Sequence, residues 1–537
     1  MAEKENRNRK KIIWGVGIAA LLLIYLGIFA YLNLTGYARH VDSDIAAEAL
    51  LAREIWEERT LTPDNWVSST ERRIFAMPAV AALFYGTTGS MQLAVGIACV
   101  LIGAVFFCVL FWFFKKLGLS GLVSLTGVLM ICALPVNGIR NEGQLVPFTA
   151  LLLYLFAEYY VFHCILLFLS IIFYLHLKEK AAQQKKLSRR DAVAWFLLFG
   201  LTVILALGGQ RCLQMVILPL AVYEAVQVFL DSEGFTKRLS GKRLLATGFA
   251  GTLLLAFGIS LLYDRQANYA VYLQEPVEIL NRLFITVPAA LLEGFGIAGA
   301  ARLGSFASLM QLLVWAFLTL AVYGVIYTLR RKNNVAGRQR EALLLLLSSL
   351  GVTFAVICIT TAEPAHNYLM VSWFAAILAV VILIEEYGGR KSFFTNIILG
   401  AVCLFALLNL KYTWAGAVSS ADNLREYEEV ADFLEEERIA YGYAEFWDAG
   451  RISLMVDGEV TMGHAYNMED LRMYWWLTSL KWYPPNLPED MKTAYVVRTG
   501  KKDAFTAQFD NPDIVELAFE NEKFAVYISD KNLMKMQ

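Results

Sequence analysis

Charge is what this sequence has least of. Only 18% of its 537 residues are Asp, Glu, Lys or Arg, 58% are hydrophobic, and the mean hydropathy is +0.51. Soluble domains are roughly a quarter charged and about half apolar, so the composition excludes a soluble globular chain and indicates an integral membrane protein. The 47 basic and 48 acidic residues leave a net charge of −1, but the signs are segregated. Basic residues gather in a few short loops, and acids dominate the C-terminal region. No basic face or aromatic–basic motif lies outside those loops, which excludes a nucleic-acid partner. The seven cysteines (Cys99, Cys108, Cys132, Cys164, Cys212, Cys358 and Cys403) sit in or beside apolar runs. No CxxC or Cys/His cluster exists, so neither a structural zinc nor a disulfide framework is expected. A P-loop, a dinucleotide fingerprint and a nucleophile elbow are also missing, which leaves a phosphate-driven pump or a redox enzyme without support.

What the sequence does have is long apolar runs. The first, from about 12 to 34, follows Lys4, Arg7, Arg9, Lys10 and Lys11. It is too long for the core of a cleaved signal, so it reads as a retained helix. Further runs fall near 91–114, 119–137, 192–208, 212–230, 243–263, 306–329, 342–361, 366–386 and 393–410. Glu158-Tyr159-Tyr160 interrupts the stretch 145–177, which is either one kinked span or a re-entrant helix plus a span. The expectation is an all-α polytopic membrane protein with about eleven crossings. Basic loops at the N-terminus, Lys115-Lys116, 178–190, 237–243, 330–340 and Arg390-Lys391 then share one side, which places the N-terminus inside and the C-terminal domain outside. A membrane domain is expected over 1–410, with outer loops at 35–90 and 264–305, and an extracytoplasmic α+β domain over 411–537.

In that outer domain Asp422 is expected to cap a helix running to about Arg438, with Leu424, Tyr427, Ala431 and Leu434 along one face. Strands are expected at 452–456, 493–497, 514–518 and 524–528, the last two joined by a hairpin at Asn521-Glu522-Lys523. Trp447, Trp475, Trp476, Trp482 and Tyr483 are numerous enough for sugar stacking or a membrane-facing belt, although core packing accounts for most such residues.

The long loop after the first span carries two carboxylates, Asp42-Ser43-Asp44, ahead of a helical pattern running to Trp56. Ile45, Ala49, Ala52 and Trp56 recur at helical spacing, which predicts an amphipathic surface helix capped by Asp42 or Ser43, with Asp44 in its first turn. The pair can be no more than a cap and a solvated first-turn acid. Alternatively one carboxylate deprotonates an acceptor and the other orients it or holds a metal ion. A divalent cation such as Mg or Mn is compatible with Asp44 in that role, and two carboxylates alone do not specify one. Other outer turns carry Arg140 and Glu142, Arg211 after Gly208-Gly209, and Glu363 and His366 around Pro364. Together they put cations and acids on one membrane face, where a phosphate leaving group could be held. The loop 264–305, broken by Pro276 and Pro288, is either a lid or a structured connector.

A retained first helix, Asp42-Ser43-Asp44 in a long outer loop, a many-span core and an outward C-terminal domain together resemble the GT-C-type glycosyltransferases. Within that class the chain is similar to the dolichyl-phosphate-mannose and aminoarabinose transferases. The stretch Trp66-Val-Ser-Ser-Thr-Glu-Arg72 and the turn Gly209-Gln210-Arg211 resemble a Gram-positive bacterial branch. The resemblance implies an inverting transfer of a sugar from a polyprenyl-phosphate donor to a cell-wall polymer, lipid or protein. It gives Asp42 and Asp44 the catalytic role; the polar outer turns and loops, read by themselves, make Arg211, Arg140 and His366 the candidates for the donor phosphate and Glu142, Arg72 and Glu363 further candidates for the site. Many members have an Arg-Tyr pair at the start of a late span, where this chain has His366-Asn367-Tyr368. The rival readings are a lipid or polysaccharide transporter or flippase and a non-catalytic envelope-assembly factor. A transporter predicts acids within spans or paired inverted repeats, and neither is clear here.

Overall fold

The structure, a computed structural model, describes residues 2–35, 43–69, 72, 76–133, 160–230, 244–262, 271–297, 304–331, 334–390, 392–422, 424–484, 486–488 and 490–535. Asp42, Arg140, Glu142 and the first half of 145–177 lie outside them. In chain order the elements are α1 (Ala2–Thr35), α2 (Ser43–Glu58), β1 (Trp66–Val67), α3 (Met77–Thr88), α4 (Met91–Lys116), α5 (Gly121–Ala133), α6 (Val161–Ala182) and α7 (Arg189–Gly208). A π-helical turn, Leu213–Ile217, leads into α8 (Leu218–Leu230), followed by α9 (Leu244–Ser260) and α10 (Pro276–Asn281). A second π-helical turn, Arg282–Thr286, precedes α11 (Val287–Glu293), α12 (Phe306–Arg330) and α13 (Asn334–Ile359). The short 3-10 turn His366–Leu369 opens α14 (Val371–Arg390), and α15 (Ser392–Asp422) follows. The C-terminal part holds α16 (Arg425–Glu436), β2 (Tyr441–Glu445), α17 (Phe446–Met455), β3 (Thr461–Asn467), β4 (Arg472–Met473), β5 (Thr478–Ser479), β6 (Thr493–Arg498), α18 (Lys502–Ala507), β7 (Glu516–Glu520) and β8 (Phe524–Ser529).

Among the described residues eight helices are long and apolar enough to cross a membrane, and three shorter apolar helices (Gly121–Ala133, Leu213–Phe229 and Leu244–Ser260) accompany them. These eleven helices fall on the eleven apolar runs read from the sequence, eight of them long enough to cross, and the protein is a multi-pass membrane protein. The described part of 145–177 is a single helix, α6. The chain divides into two compact units, one of residues 1–28, 103–153 and 160–414, the other of 29–102, 154–159 and 415–537.

In the first unit α14 is apolar all round and almost wholly buried, as a central helix of a bundle should be. It packs on α5, α12 and α13. At Gly324 of α12 an added Cβ would lie 2.6 Å from the Ala379 carbonyl oxygen, so a small residue is what permits this close approach. The described part of the loop 264–305 is tied to the end of α13 by backbone hydrogen bonds. Leu273 N donates to Ile359 O and Thr361 N donates to Val271 O, at 2.9 and 2.8 Å.

The second unit contains a six-stranded mixed sheet in the order β4-β3-β2-β6-β8-β7. β3, β2 and β6 are parallel neighbours, while β8 runs antiparallel to β6 and β7. Parallel pairing of β2 and β3 requires a crossover, and α17 supplies it. That corrects the strand expected at 452–456: Ile452 and Leu454 belong to α17, whose buried Phe446, Ala449 and Ile452 follow helical spacing. Leu424, Tyr427, Ala431 and Leu434 do form the buried face of a helix. Its cap position is Leu424, however, and Asp422 ends the preceding α15. The hairpin at Asn521 forms, with Asn521 Oδ1 accepting from the Lys523 and Phe524 amides at 3.0 and 2.8 Å.

Candidate active site

The charged and aromatic side chains of interest fall into two groups, one in each unit. In the second unit Asp44 stands half-buried in the first turn of α2. The helix begins where the sequence placed it, but it does not have one packed face and one free face. From Ile45 to Ile55 its residues are buried, including Glu48, Arg53 and Glu54, and it packs on α3 and α17. Ser43 supplies no cap, because its buried hydroxyl makes no hydrogen bond among the described residues. Small residues bring α2 close to α17: a Cβ added at Gly450 would sit 3.2 Å from the Ser43 carbonyl oxygen and 3.5 Å from Ala46 Cβ.

Polar contacts then fix the register of α2. The Arg53 guanidinium donates to Gly458 O at 3.0 Å and to Thr461 Oγ1 at 3.3 Å. Lys481 bridges Glu54 at 3.1 Å and Glu58 at 2.5 Å. Burial lifts the Glu54 carboxyl above its ordinary range, against the pull of Lys481. Downstream, β1 pairs antiparallel with β5. Arg72 is half-buried in the same unit.

Asp44 lies within electrostatic reach of Tyr474, whose phenol is raised first by burial and then by the Asp44 charge. Tyr474 belongs to a ring cluster with Tyr466 at 5.8 Å and Phe446 at 5.6 Å, and Phe446 also meets Trp447 at 5.0 Å. Trp447, Tyr466 and Trp475 are 56%, 65% and 45% exposed, whereas Trp482 and Tyr483 are core residues. Beneath the cluster His464 is fully buried, with Nδ1 2.9 Å from the Trp476 carbonyl oxygen. Burial pushes its pKa down to about 4, so the ring is neutral and donates to that carbonyl.

The other group lies in the first unit. Arg211 precedes the π-helical turn Leu213–Ile217, a departure from α-helical geometry that often marks functional positions. Its guanidinium lies 4.1 Å from the Tyr160 ring centroid and 4.7 Å from that of Tyr368. Asn367 Nδ2 donates to the Tyr160 hydroxyl at 3.2 Å. Stacking on the two ring faces orients the guanidinium plane. His366, two residues before Tyr368, is half-buried on the 3-10 turn, and Glu363 is exposed just upstream. Arg282 fastens this segment from below, donating to the Ile357, Thr360 and Ala362 carbonyls at 3.2, 2.8 and 2.5 Å. The Trp373 indole donates to Gly294 O at 3.0 Å. Sequence reasoning did not single out Tyr160 or Arg282 as parts of a site. The one available signal was that Tyr160 interrupts an apolar run. Among the described residues no three His, Cys, Asp or Glu side chains are grouped so as to hold a metal ion.

Comparison with protein-family models gives no match, and comparison with curated proteins gives none either. Solved structures do match. ArnT from Cupriavidus metallidurans bound to undecaprenyl phosphate aligns over 95% of this chain and 97% of its own, with a TM-score of 0.53 and 13% identity. Its apo form aligns over 96% and 97%, with a TM-score of 0.53 and 12% identity. The fold is that of the GT-C glycosyltransferases. A GT-C membrane core followed by a sheet-containing region accounts for both the helical bundle and the mixed sheet described above.

Proposed function

We propose that the protein moves a sugar from a polyprenyl-phosphate donor to a hydroxyl or amine acceptor at the outer face of the membrane. The observation that carries this reading is the GT-C fold shared along 95% of the chain with ArnT, a protein crystallised with undecaprenyl phosphate. In this reading one of Asp42 and Asp44 accepts the acceptor's proton as its oxygen or nitrogen attacks the anomeric carbon. The bond from that carbon to the donor phosphate breaks, and polyprenyl phosphate leaves with the electron pair. Arg211, with Arg140 and His366, stabilises the charge on the departing phosphate. A guanidinium fork held by two rings suits two phosphate oxygens. The exposed rings of Trp447, Tyr466 and Trp475 offer stacking faces to a glycan acceptor.

The direct experiment incubates the purified protein with a panel of polyprenyl-phosphate sugars and measures released polyprenyl phosphate. Release by the wild type, lost in the Asp42→Asn/Asp44→Asn double variant, is the expected result. Release from no donor, or equal release by the double variant, overturns the reading. Its orientation is tested by reporters active only outside the cytoplasm: one fused at Gln537 should give signal and one at Lys185 should not.

A further inference from the structure

The first unit contains a cavity of about 900 Å³ that none of these residues uses. It lies where Lys116 ends α4 and Arg190 opens α7. Arg211 comes just beyond the other end of α7, and a 20-residue helix sets its two ends roughly 30 Å apart. The walls are apolar, with Phe173, Leu198 and Leu201 among them, and the mouth is polar.

At that mouth the charged residues divide in two. One set is satisfied internally. Asp191 takes hydrogen bonds from the Ser188 amide and hydroxyl at 2.7 Å each, is paired with Lys180, and lies 2.8 Å from His176 Nε2. Arg338 is paired with Glu179. Lys116 and Arg190 remain. Both are exposed, and neither makes an ion pair among the described residues, the Lys116 ammonium lying 5.4 Å above the Trp112 ring. Two unneutralised cations thus stand over an apolar slot. A small soluble anion would leave the slot unused, and an uncharged lipid would leave the cations unanswered. Neighbouring residues of α7, Val193, Phe196 and Leu197, are more than half exposed, as expected of a helix surface facing acyl chains. Basic pockets between transmembrane helices are a recurrent mode of acidic-lipid recognition.

We propose that this cavity binds an anionic phospholipid, with its phosphate between Lys116 and Arg190 and an acyl chain along Phe173, Leu198 and Leu201. The site is independent of the transfer reaction.

Native mass spectrometry of the full chain, released from detergent with equimolar phosphatidylglycerol and phosphatidylethanolamine, tests this. The wild type should retain phosphatidylglycerol preferentially. Lys116→Gln and Arg190→Gln should each lower that retention roughly five-fold, the ratio corresponding to about 1 kcal/mol per basic residue at an acidic membrane surface. Phosphatidylethanolamine retention should not change. Both side chains are exposed, so unchanged thermal melting without added lipid is the check that the variants are folded. Equal retention of the two lipids by the wild type overturns the proposal, as does unaltered phosphatidylglycerol retention in the double variant. Displacement of phosphatidylglycerol by equimolar undecaprenyl phosphate, abolished in that double variant, would reassign the cavity to the polyprenyl lipid.

Discussion

Arg211 in one unit and Arg498 in the other are both arginines with defined partners, and the partners differ in kind. Arg498 is held by a carboxylate: its Nε and Nη2 donate to Asp448 at 2.8 and 3.1 Å, and Asp448 is 2% exposed. Arg211 is held by two tyrosine rings. A carboxylate cancels the charge it binds and makes the pair part of the scaffold. Ring faces fix the position of a cation without themselves carrying a counter-charge. The second unit repeats the first pattern, since Lys481 spans Glu54 and Glu58 and Lys501 meets Glu445 at 2.7 Å. Partner chemistry therefore separates cations held by counter-charges from one seated between rings.

The largest expected effect concerns the carboxylates themselves. Asp→Asn keeps size while removing the base, so of Asp42→Asn and Asp44→Asn at least one should lower turnover by about 10²–10⁴ with folding intact. Near-normal turnover in both would leave Asp44 as no more than a first-turn acid and remove the catalytic half of the comparison.

Burial without a counter-charge should show itself in acid. Burial pushes the His464 pKa from the ordinary 6.5 of a histidine down to about 4. Between those values the unfolded chain binds a proton that the folded chain refuses. Its contribution is therefore complete above about pH 6.5 and is lost as pH falls toward 4, by up to about 3 kcal/mol. Melting of the full chain, followed by tryptophan fluorescence from pH 7 to 4, should steepen in that window for the wild type and flatten in His464→Gln. Parallel profiles would mean that the imidazole is not the group responsible.

The two arginines can be separated directly. Arg498→Ala leaves Asp448 buried with only the Tyr427 hydroxyl, at 2.5 Å, as its remaining described partner. Because Arg498 is itself part-exposed, the loss should be about 1–3 kcal/mol of stability, with donor affinity unchanged. Arg211→Ala should behave in reverse, weakening donor binding roughly 10–100-fold and more than Arg211→Lys does, with melting unchanged. Loss of stability without loss of binding in Arg211→Ala would erase the distinction.

A last, smaller test addresses position alone. Gly450→Ala would press on the Ser43 carbonyl from 3.2 Å and shift the first turn of α2 by a few tenths of an ångström. A few-fold fall in kcat with KM unchanged is expected, since reactive groups tolerate little misplacement. An unaltered kcat would show that the α2–α17 contact does not set the geometry of Asp44.

Much of this was readable in the chain. Run length and hydropathy located the crossings because a bilayer imposes a fixed apolar length on each helix. The start of α2 and the first-turn place of Asp44 followed from local pattern, as did the buried face of α16. The misreadings have local causes too. Residues 452–456 are β-branched and apolar enough to look like a strand, yet they end a crossover helix that parallel pairing of β2 with β3 demands. Ile45, Ala49 and Ala52 suggested one apolar face for α2, yet partners cover the rest of it, buried Glu48 and Glu54 included.

By itself, then, the sequence determined the membrane class and the apolar helices, because these depend on composition and short-range periodicity. Only the tertiary structure decided which partners each cation meets. Tyr160, Arg211 and Tyr368 come from three separate helical segments, and Lys481 reaches Glu54 from the opposite end of the chain. Such contacts arise from packing between distant segments, and no local pattern encodes them.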